Sequence, residues 1–363
     1  MIRILHIVSS LGTGSGVLSV LMSYHRAIDR SKVQFDYLSF KQTENTFEEE
    51  ILSLGGRVYH CSKPSFAPSF QKELDRFFTE HEGEYTIVHC HPIYASALFG
   101  ASALKHGVNR VIQHSHTTQF SDKKGSAVRN RLVLSLFRNR ATDFAACSED
   151  AKAIFSFRKP ETVYRMPNAI DTEKFRFDPE RRRAIREELG VGENEILLGH
   201  VGRFSPEKNH KFLLKVLESA LKQRENTKLL LLGDGPLMEE IRALAGPLGD
   251  RVIFAGRHSN VADYMAAMDC LVFPSEFEGL GIVLIEAQSC ALPAVASDRV
   301  PKEANVTGAV RYLPLEESPE RWAKEALEAA EKGRLEIAET VSRSVFSIEK
   351  AALALEQYYR ELG

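Results

Sequence analysis

Short apolar runs alternate with longer amphipathic stretches along almost the whole chain. In the first half, the runs Ile2–Val8, Gln34–Phe40, Arg57–His60, Ile87–Cys90, Arg110–Gln113, Phe144–Cys147 and Thr162–Met166 predict strands. Helical spacing at Gly16–Asp29, Ser69–His81, Ala95–His106 and Ser126–Arg140 fills the gaps between several of them. Strands separated by helices pair in parallel, so this order predicts a doubly wound α/β sheet. The alternation pauses around Pro167–Asp171 and the charged run Glu180-Arg181-Arg182-Arg183. It then restarts with strands at Ile196–Val201, Lys228–Leu232, Arg251–Phe254, Cys270–Phe273, Ala294–Ala296 and Val310–Leu313. Helices follow at Lys211–Arg224, Pro236–Ala245, Val261–Met268, Val283–Cys290 and Glu320–Lys332. The pattern predicts two domains of one construction, residues 1–175 and 176–345. A terminal helix over 346–363, with Ala352, Leu355, Tyr358 and Tyr359 on one face, is expected to pack back on the first domain.

Bulk properties narrow this picture only slightly. The 363 residues suit about two domains at roughly 150 residues each. A formal charge of −2 gives no global attraction to nucleic acid. The five cysteines form no C-x-x-C pair, which suggests reduced thiols and a cytoplasmic protein. No segment reaches the length of a transmembrane helix. The apolar start runs directly into a glycine loop, so it reads as a first strand and not as a signal peptide.

Candidate chemistry concentrates in three loops. The stretch Phe273–Ala287 reads as strand, loop and helix, with Glu278 at the loop tip and Glu286 in the first turns of the helix. Gly279 and Gly281 precede that helix, whose uncovered N–H groups suit a phosphate. Carboxylates beside an anion site are simplest to explain as ligands for hydroxyls flanking phosphates, as in a nucleotide sugar. Arg203 and Lys208 follow the strand Ile196–Val201, at the strand end where doubly wound folds bind ligands. A solvated pair bridged to Glu207 is the blander reading. Gly233-Asp234-Gly235 reads as a tight turn. The third loop, Gly12-Thr13-Gly14-Ser15-Gly16, is a partial G-x-G-x-x-G. Val17 stands where the third glycine belongs, although Asp36 in the next strand could serve as the acidic ribose ligand.

Taken together, these blocks resemble the retaining glycosyltransferases of family 4. The resemblance rests on the glycine loop, His89-Cys90-His91, His114-Ser115-His116, Cys147-Ser148-Glu149, Asn168-Ala169-Ile170-Asp171 with Phe175, Gly202-Arg203 with Lys208, Gly233-Asp234-Gly235, and Glu278 and Glu286 as an E-x7-E signature. It implies the GT-B fold, two Rossmann-like domains facing across a cleft, with the acceptor on the first and the nucleotide sugar on the second. It implies that Arg203 and Lys208 hold the diphosphate of a nucleotide sugar, UDP favoured and GDP possible. Glu286 would bind ribose, Glu278 the donor sugar, and the amides near Leu280, Gly281 and Ile282 a phosphate. The backbone around Arg257–Val261 would meet the base, and Gly14, Ser15 and Gly16 would close over phosphates. His116 would contact the sugar near its anomeric carbon, with His114 as the alternative. Neither a metal nor another cofactor is expected. The segment from Ala296 to Glu303 resembles members that build capsular or exopolysaccharide. The family commonly has an acid where this chain has Val17 and a glycine where it has Ala291.

Competing readings fall on spacing. A retaining glycosidase holds its carboxyls about 5–5.5 Å apart, whereas eight helical residues span about 12 Å. The pairs His89/His91 and His114/His116 invite a zinc reading, yet no suitably spaced carboxylate or cysteine completes a site. An NAD-dependent sugar-nucleotide oxidoreductase or epimerase and a non-catalytic sugar-binding protein are the alternatives. The segment Lys123–Arg140 carries Lys123, Lys124, Arg129, Arg131, Arg138 and Arg140 with no acid, and Leu132, Val133, Leu136 and Phe137 supply an apolar face. Either a solvated helix or a contact with an anionic membrane fits it. The expected partners are thus a nucleotide sugar and a glycan or lipid-linked acceptor.

Overall fold

The computed structural model describes residues 1–117, 120 and 124–363. Lys123 of the basic segment lies outside the described residues. Contacts divide the chain into two compact units, Met1–Ile170 with Ile348–Gly363, and Asp171–Ser347.

The first unit holds seven parallel strands: β1 (Ile2–Ser10), β2 (Val33–Lys41), β3 (Val58–His60), β4 (Ile87–Cys90), β5 (Arg110–Ser115), β6 (Asp143–Ala146) and β7 (Tyr164–Arg165). Their order is β3-β2-β1-β4-β5-β6-β7, so the winding reverses between β1 and β4. Near-continuous apolar strands demand cover on both faces. On one face Leu18, Leu21, Met22, Ala352, Leu355 and Tyr359 pack over Ile4 and Phe35. On the other, Phe70, Leu74, Leu98 and Phe99 pack over Leu5, Ile7 and Val88. The terminal helix Ile348–Leu362 therefore lies on the first unit, with Leu355 and Tyr359 fully buried.

The second unit has β8 (Ile196–Val201), β9 (Thr227–Leu232), β10 (Val252–Gly256), β11 (Cys270–Phe273), β12 (Ala294–Ser297) and β13 (Arg311–Leu313). The order β10-β9-β8-β11-β12-β13 places its reversal between β8 and β11. Doubly wound sheets bind ligands at the C-terminal ends of the strands flanking such a reversal.

One segment differs from the sequence expectation. The charged run Glu180–Arg183 is not a pause but part of the helix Pro179–Glu188, capped by the Asp178 side chain. Apolar periodicity misses it because its inward face holds a single isoleucine, Ile185, beside Arg182 and Arg186. Arg182 and Arg186 bond the carbonyls of Ala266, Ala267 and Met268 and the carboxylate of Asp269.

Ala291, where the family commonly has glycine, follows the helix Ile282–Ser289 in the left-handed region at φ 54°. Glycine serves that position at no steric cost, while an L side chain there costs roughly 1–2 kcal/mol. Ala291→Gly is expected to raise stability by about 1 kcal/mol after the extra unfolded-state entropy of glycine is discounted. A denaturant titration checks this, and an unchanged or lowered midpoint would contradict the strain.

Candidate active site

In the second unit, the loops after β8 and β11 hold most of the predicted site. Arg203 follows β8 and is exposed, and its guanidinium has no hydrogen-bond or ion-pair partner among the described residues. Lys208 does not bridge Glu207, because the Ser205 hydroxyl bonds that carboxylate instead. Its Nζ reaches Glu278 Oε1 at 2.5 Å and lies 5.2 Å from the centre of the Phe273 ring. The Lys208 and Glu278 side chains are only 16% and 12% exposed. A backbone bond from Glu276 N to Glu207 O, 2.8 Å, joins the same two loops.

The helix Ile282–Ser289 starts at Gly281, whose φ is 83°, and no side chain caps it. A Cβ at Gly281 would lie 2.8 Å from Val300 Cγ1, so glycine is required on two counts. The uncapped helix leaves its first N–H groups to bond outward. Glu286 stands one turn on, half-buried, and its carboxyl has no hydrogen-bond or ion-pair partner among the described residues. Burial pushes its carboxyl up to about 8, against the opposing pull of Lys174.

Gly233 and Gly235 are more than a tight turn. A Cβ at Gly233 would stand 2.0 Å from Gly202 O, and one at Gly235 would stand 2.6 Å from Phe204 O. The two loops touch backbone to backbone, with Phe204 N bonded to Asp234 O at 3.0 Å. Arg257 lies in the loop after β10, and Val261 opens the helix Val261–Ala267. Gly256 O, at the end of β10, accepts from Gly233 N at 2.7 Å. The sequence reading missed His200, His210 and Ser275. His200 Nε2, both ring nitrogens of His210 and Ser275 Oγ are buried without partners among the described residues. His200 Nε2 lies 3.0 Å from where a Gly202 Cβ would stand.

In the first unit, Ser15 caps the helix Gly16–Ala27 by accepting from Leu18 N at 3.3 Å, and Gly14 and Gly16 are exposed. Asp36 is not free for a ribose. It is fully buried, and Arg3, Arg57 N and the Tyr85 hydroxyl all donate to it. With Val17 in the turn, this removes the physical basis of the dinucleotide reading.

Both predicted histidine pairs lie on one sheet face, as a period of two requires, and a fifth histidine joins them. His6 pairs in register with His89 across β1 and β4. His6 Nδ1 meets His91 Nε2 at 2.9 Å, and His91 Nδ1 meets His116 Nε2 at 2.8 Å. His89 Nδ1 meets the Tyr359 hydroxyl at 2.6 Å, and its Nε2 meets His114 Nδ1 at 3.2 Å. His114 and His116 stack with ring centres 3.9 Å apart. Thus His116 is only partly buried, whereas His114 is 1% exposed and interior. The sets His6/His89/His91 and His91/His114/His116 each bring ligand nitrogens within 4.8 Å. Two nitrogens on one tetrahedral zinc stand about 3.3 Å apart, given bonds of roughly 2.0–2.1 Å. The His6–His91 and His91–His116 contacts are shorter and suit a shared proton.

The profile described as Glycosyltransferase Family 4 matches residues 14–174, and that described as Glycosyl transferases group 1 matches residues 195–332. The chain is 35% identical over 375 aligned residues to "Putative glycosyltransferase EpsF" of Bacillus subtilis (strain 168), covering 98% of this chain and 96% of that protein. The chain belongs to glycosyltransferase family 4. Its fold is GT-B: a crystal structure of HepE from Anabaena in complex with UDP and glucose matches with a TM-score of 0.74 at 20% identity, covering 99% of both chains. The family 4 chain is also 26% identical over 250 residues to the Escherichia coli UDP-Gal:alpha-D-GlcNAc-diphosphoundecaprenol alpha-1,3-galactosyltransferase, 66% of this chain and 64% of that one. Among the described residues, no helix is long and apolar enough to cross a membrane.

The five clustered histidines, together with the buried His25 beside Gln34 and Tyr37, are expected to make the fold acid-sensitive. Burial, reinforced for most of them by neighbouring histidines, holds His6, His91 and His114 well below the usual range. It lowers His89 to about 3 and His25 and His116 to about 4. These folded-state values lie below the unfolded one, so the stability is complete above about pH 6.5 and is lost as pH falls toward 4. His25 and His89 alone should cost roughly 3 kcal/mol per pH unit in that window. Thermal melts between pH 7.5 and 4.5 test it, and a flat midpoint across that range would count against neutral burial.

Proposed function

We propose that this family 4 enzyme transfers a sugar, with retention and without a metal, from a nucleotide-diphosphate sugar to an acceptor hydroxyl. UDP is the favoured nucleotide and GDP the second; the relatives' printed donors include both UDP-Gal and GDP-mannose, and HepE is printed in complex with UDP. The observation that carries the reading is the β8/β11 reversal. There the unpartnered cation Arg203, the half-buried Lys208, an uncapped helix start and the unpartnered carboxyl of Glu286 belong to two joined loops.

In this reading Arg203 and Lys208 stabilise the diphosphate as the bond to the sugar breaks. The amides at Leu280, Gly281 and Ile282 hold a phosphate, Glu286 takes ribose hydroxyls, and the Arg257–Val261 backbone faces the base. Glu278 takes donor-sugar hydroxyls, released from Lys208 as that cation turns to phosphate. In the first unit, His116 hydrogen-bonds the sugar, and Gly14, Ser15 and Gly16 approach phosphate. The acceptor hydroxyl attacks from the leaving-group face. A unit-charge contact at 4 Å is worth roughly 4 kcal/mol at an effective dielectric near 20, and half of that gained in the transition state exceeds a tenfold rate effect.

Arg203 gives the cleanest test, because removing an exposed side chain without partners leaves the fold alone. Arg203→Ala should keep its melting temperature and lose about tenfold or more in turnover of a nucleotide sugar. UDP or GDP should raise the melting temperature of the parent protein, and NAD should not. Full turnover in Arg203→Ala, or stabilisation by NAD alone, would overturn the assignment.

We further propose capsular, exopolysaccharide or related glycan synthesis at the cytoplasmic membrane face, with a glycan or lipid-linked acceptor. One relative's name specifies a diphosphoundecaprenol acceptor. On the helix Lys124–Leu136, Val128, Leu132 and Leu136 form an outward stripe 70%, 57% and 66% exposed. Arg129 and Arg131 flank the stripe and are exposed, as is Arg138 just beyond the helix. This arrangement fits an interfacial helix as well as a solvated one. At about 1 kcal/mol per cation near an anionic surface, replacing Arg129, Arg131 and Arg138 with glutamine should weaken binding to phosphatidylglycerol vesicles about a hundredfold. Unchanged co-sedimentation would remove the idea.

A further inference from the structure

The row His6–His91–His116 fixes more than three side-chain positions. A neutral imidazole carries one N–H and one bare nitrogen. His91 uses both nitrogens, Nε2 toward His6 Nδ1 and Nδ1 toward His116 Nε2. It therefore accepts from one neighbour and donates to the other, and the whole row must run in one direction. Only two arrangements are possible.

In the first, His116 Nε2–H donates to His91, His91 Nε2–H donates to His6, and His6 is left with its proton on Nε2. That nitrogen is buried without a partner, in a residue with no exposed surface. A buried N–H without an acceptor is among the rarest defects of folded proteins. In the second, His6 Nδ1–H donates to His91 Nε2 and His91 Nδ1–H donates to His116 Nε2. The orphan at His6 is then a bare lone pair, the milder defect. His116 must carry its proton on Nδ1. That atom has no protein partner among the described residues and is not among the buried orphans, and His116 is only partly buried at the C-terminal end of β5.

We infer that His6 and His91 act as a tautomer relay that holds His116 as an Nδ1–H donor, with its Nε2 already occupied. His116 then donates a hydrogen bond to a ligand oxygen and cannot serve as a base through Nε2. His6 and His91 are positioning residues, acting only through His116. That the ligand oxygen belongs to a sugar rests on the function proposed above; the direction of the relay does not.

The test is a long-range proton–nitrogen correlation spectrum of the full chain with nitrogen-15 histidine at pH 7.5, with His116 assigned by the loss of its signals in His116→Gln. An Nδ1–H tautomer is expected at His116, and an Nε2–H tautomer in the parent protein would overturn the relay without any variant. His91→Ala should shift His116 toward a mixture of tautomers. His91→Asn, whose amide nitrogen sits near the position of Nδ1, should restore the Nδ1–H form. An unchanged tautomer in His91→Ala would also overturn the proposal. In transfer assays, His91→Ala should lower kcat tenfold or more while UDP affinity stays within twofold, and His91→Asn should recover most of the loss. If the tautomers behave as expected but kcat does not move, the relay stands and the sugar contact of His116 fails.

Discussion

The contact on which the second unit's site depends is the ion pair between Lys208 and Glu278. It draws the loop after β8 to the loop after β11, at the place where the winding of the sheet reverses. Both side chains are largely withdrawn from water, so neither charge is well solvated without the other. The pair balances an acid beside the expected anion site inside the protein itself. In the function proposed above, a phosphate competes with Glu278 for the lysine and sugar hydroxyls donate to the freed carboxylate.

Close backbone packing supports this arrangement. Gly233 and Gly235 let one loop rest directly on Gly202 and Phe204, and Gly281 lets a helix start with its N–H groups uncovered. Each glycine is needed because any Cβ there would meet a carbonyl oxygen, another backbone atom or a core side chain. The Ala291 conformation shows the opposite case, a position that glycine would fill more easily and that carries strain here. Stability has been given up at one end of the helix Ile282–Ser289, while its uncapped start keeps its glycine.

The first unit uses buried polarity differently. Its five histidines satisfy one another and Tyr359, apart from the buried outer nitrogens of His6 and His114 and the Nδ1 of the partly buried His116. Such a network requires neutral rings, which burial enforces. It also links the last helix of the chain to the centre of the sheet, through the Tyr359 hydroxyl on His89.

Much of this was legible in the residues. The strand–helix alternation, the strand ends carrying Arg203, Glu278 and His116, and the family's blocks in order are all local patterns, set by apolar spacing and by glycine chemistry. The helix Pro179–Glu188 was not legible, although Asp178 and Pro179 signal its start, because its inward face sets one isoleucine beside arginines that bond carbonyls some eighty residues away. His6 was overlooked because a lone histidine in an apolar strand has no local meaning. A histidine in each of three adjacent strands was the signal available. Sequence by itself determined the two doubly wound sheets and which side chains stand at their strand ends, since both follow from short-range periodicity. Only tertiary structure decided that Lys208 pairs with Glu278, that Asp36 is committed to Arg3 and Tyr85, and that His116 is backed by His91. Those choices depend on strand order and loop contact, which bring together residues far apart in the chain.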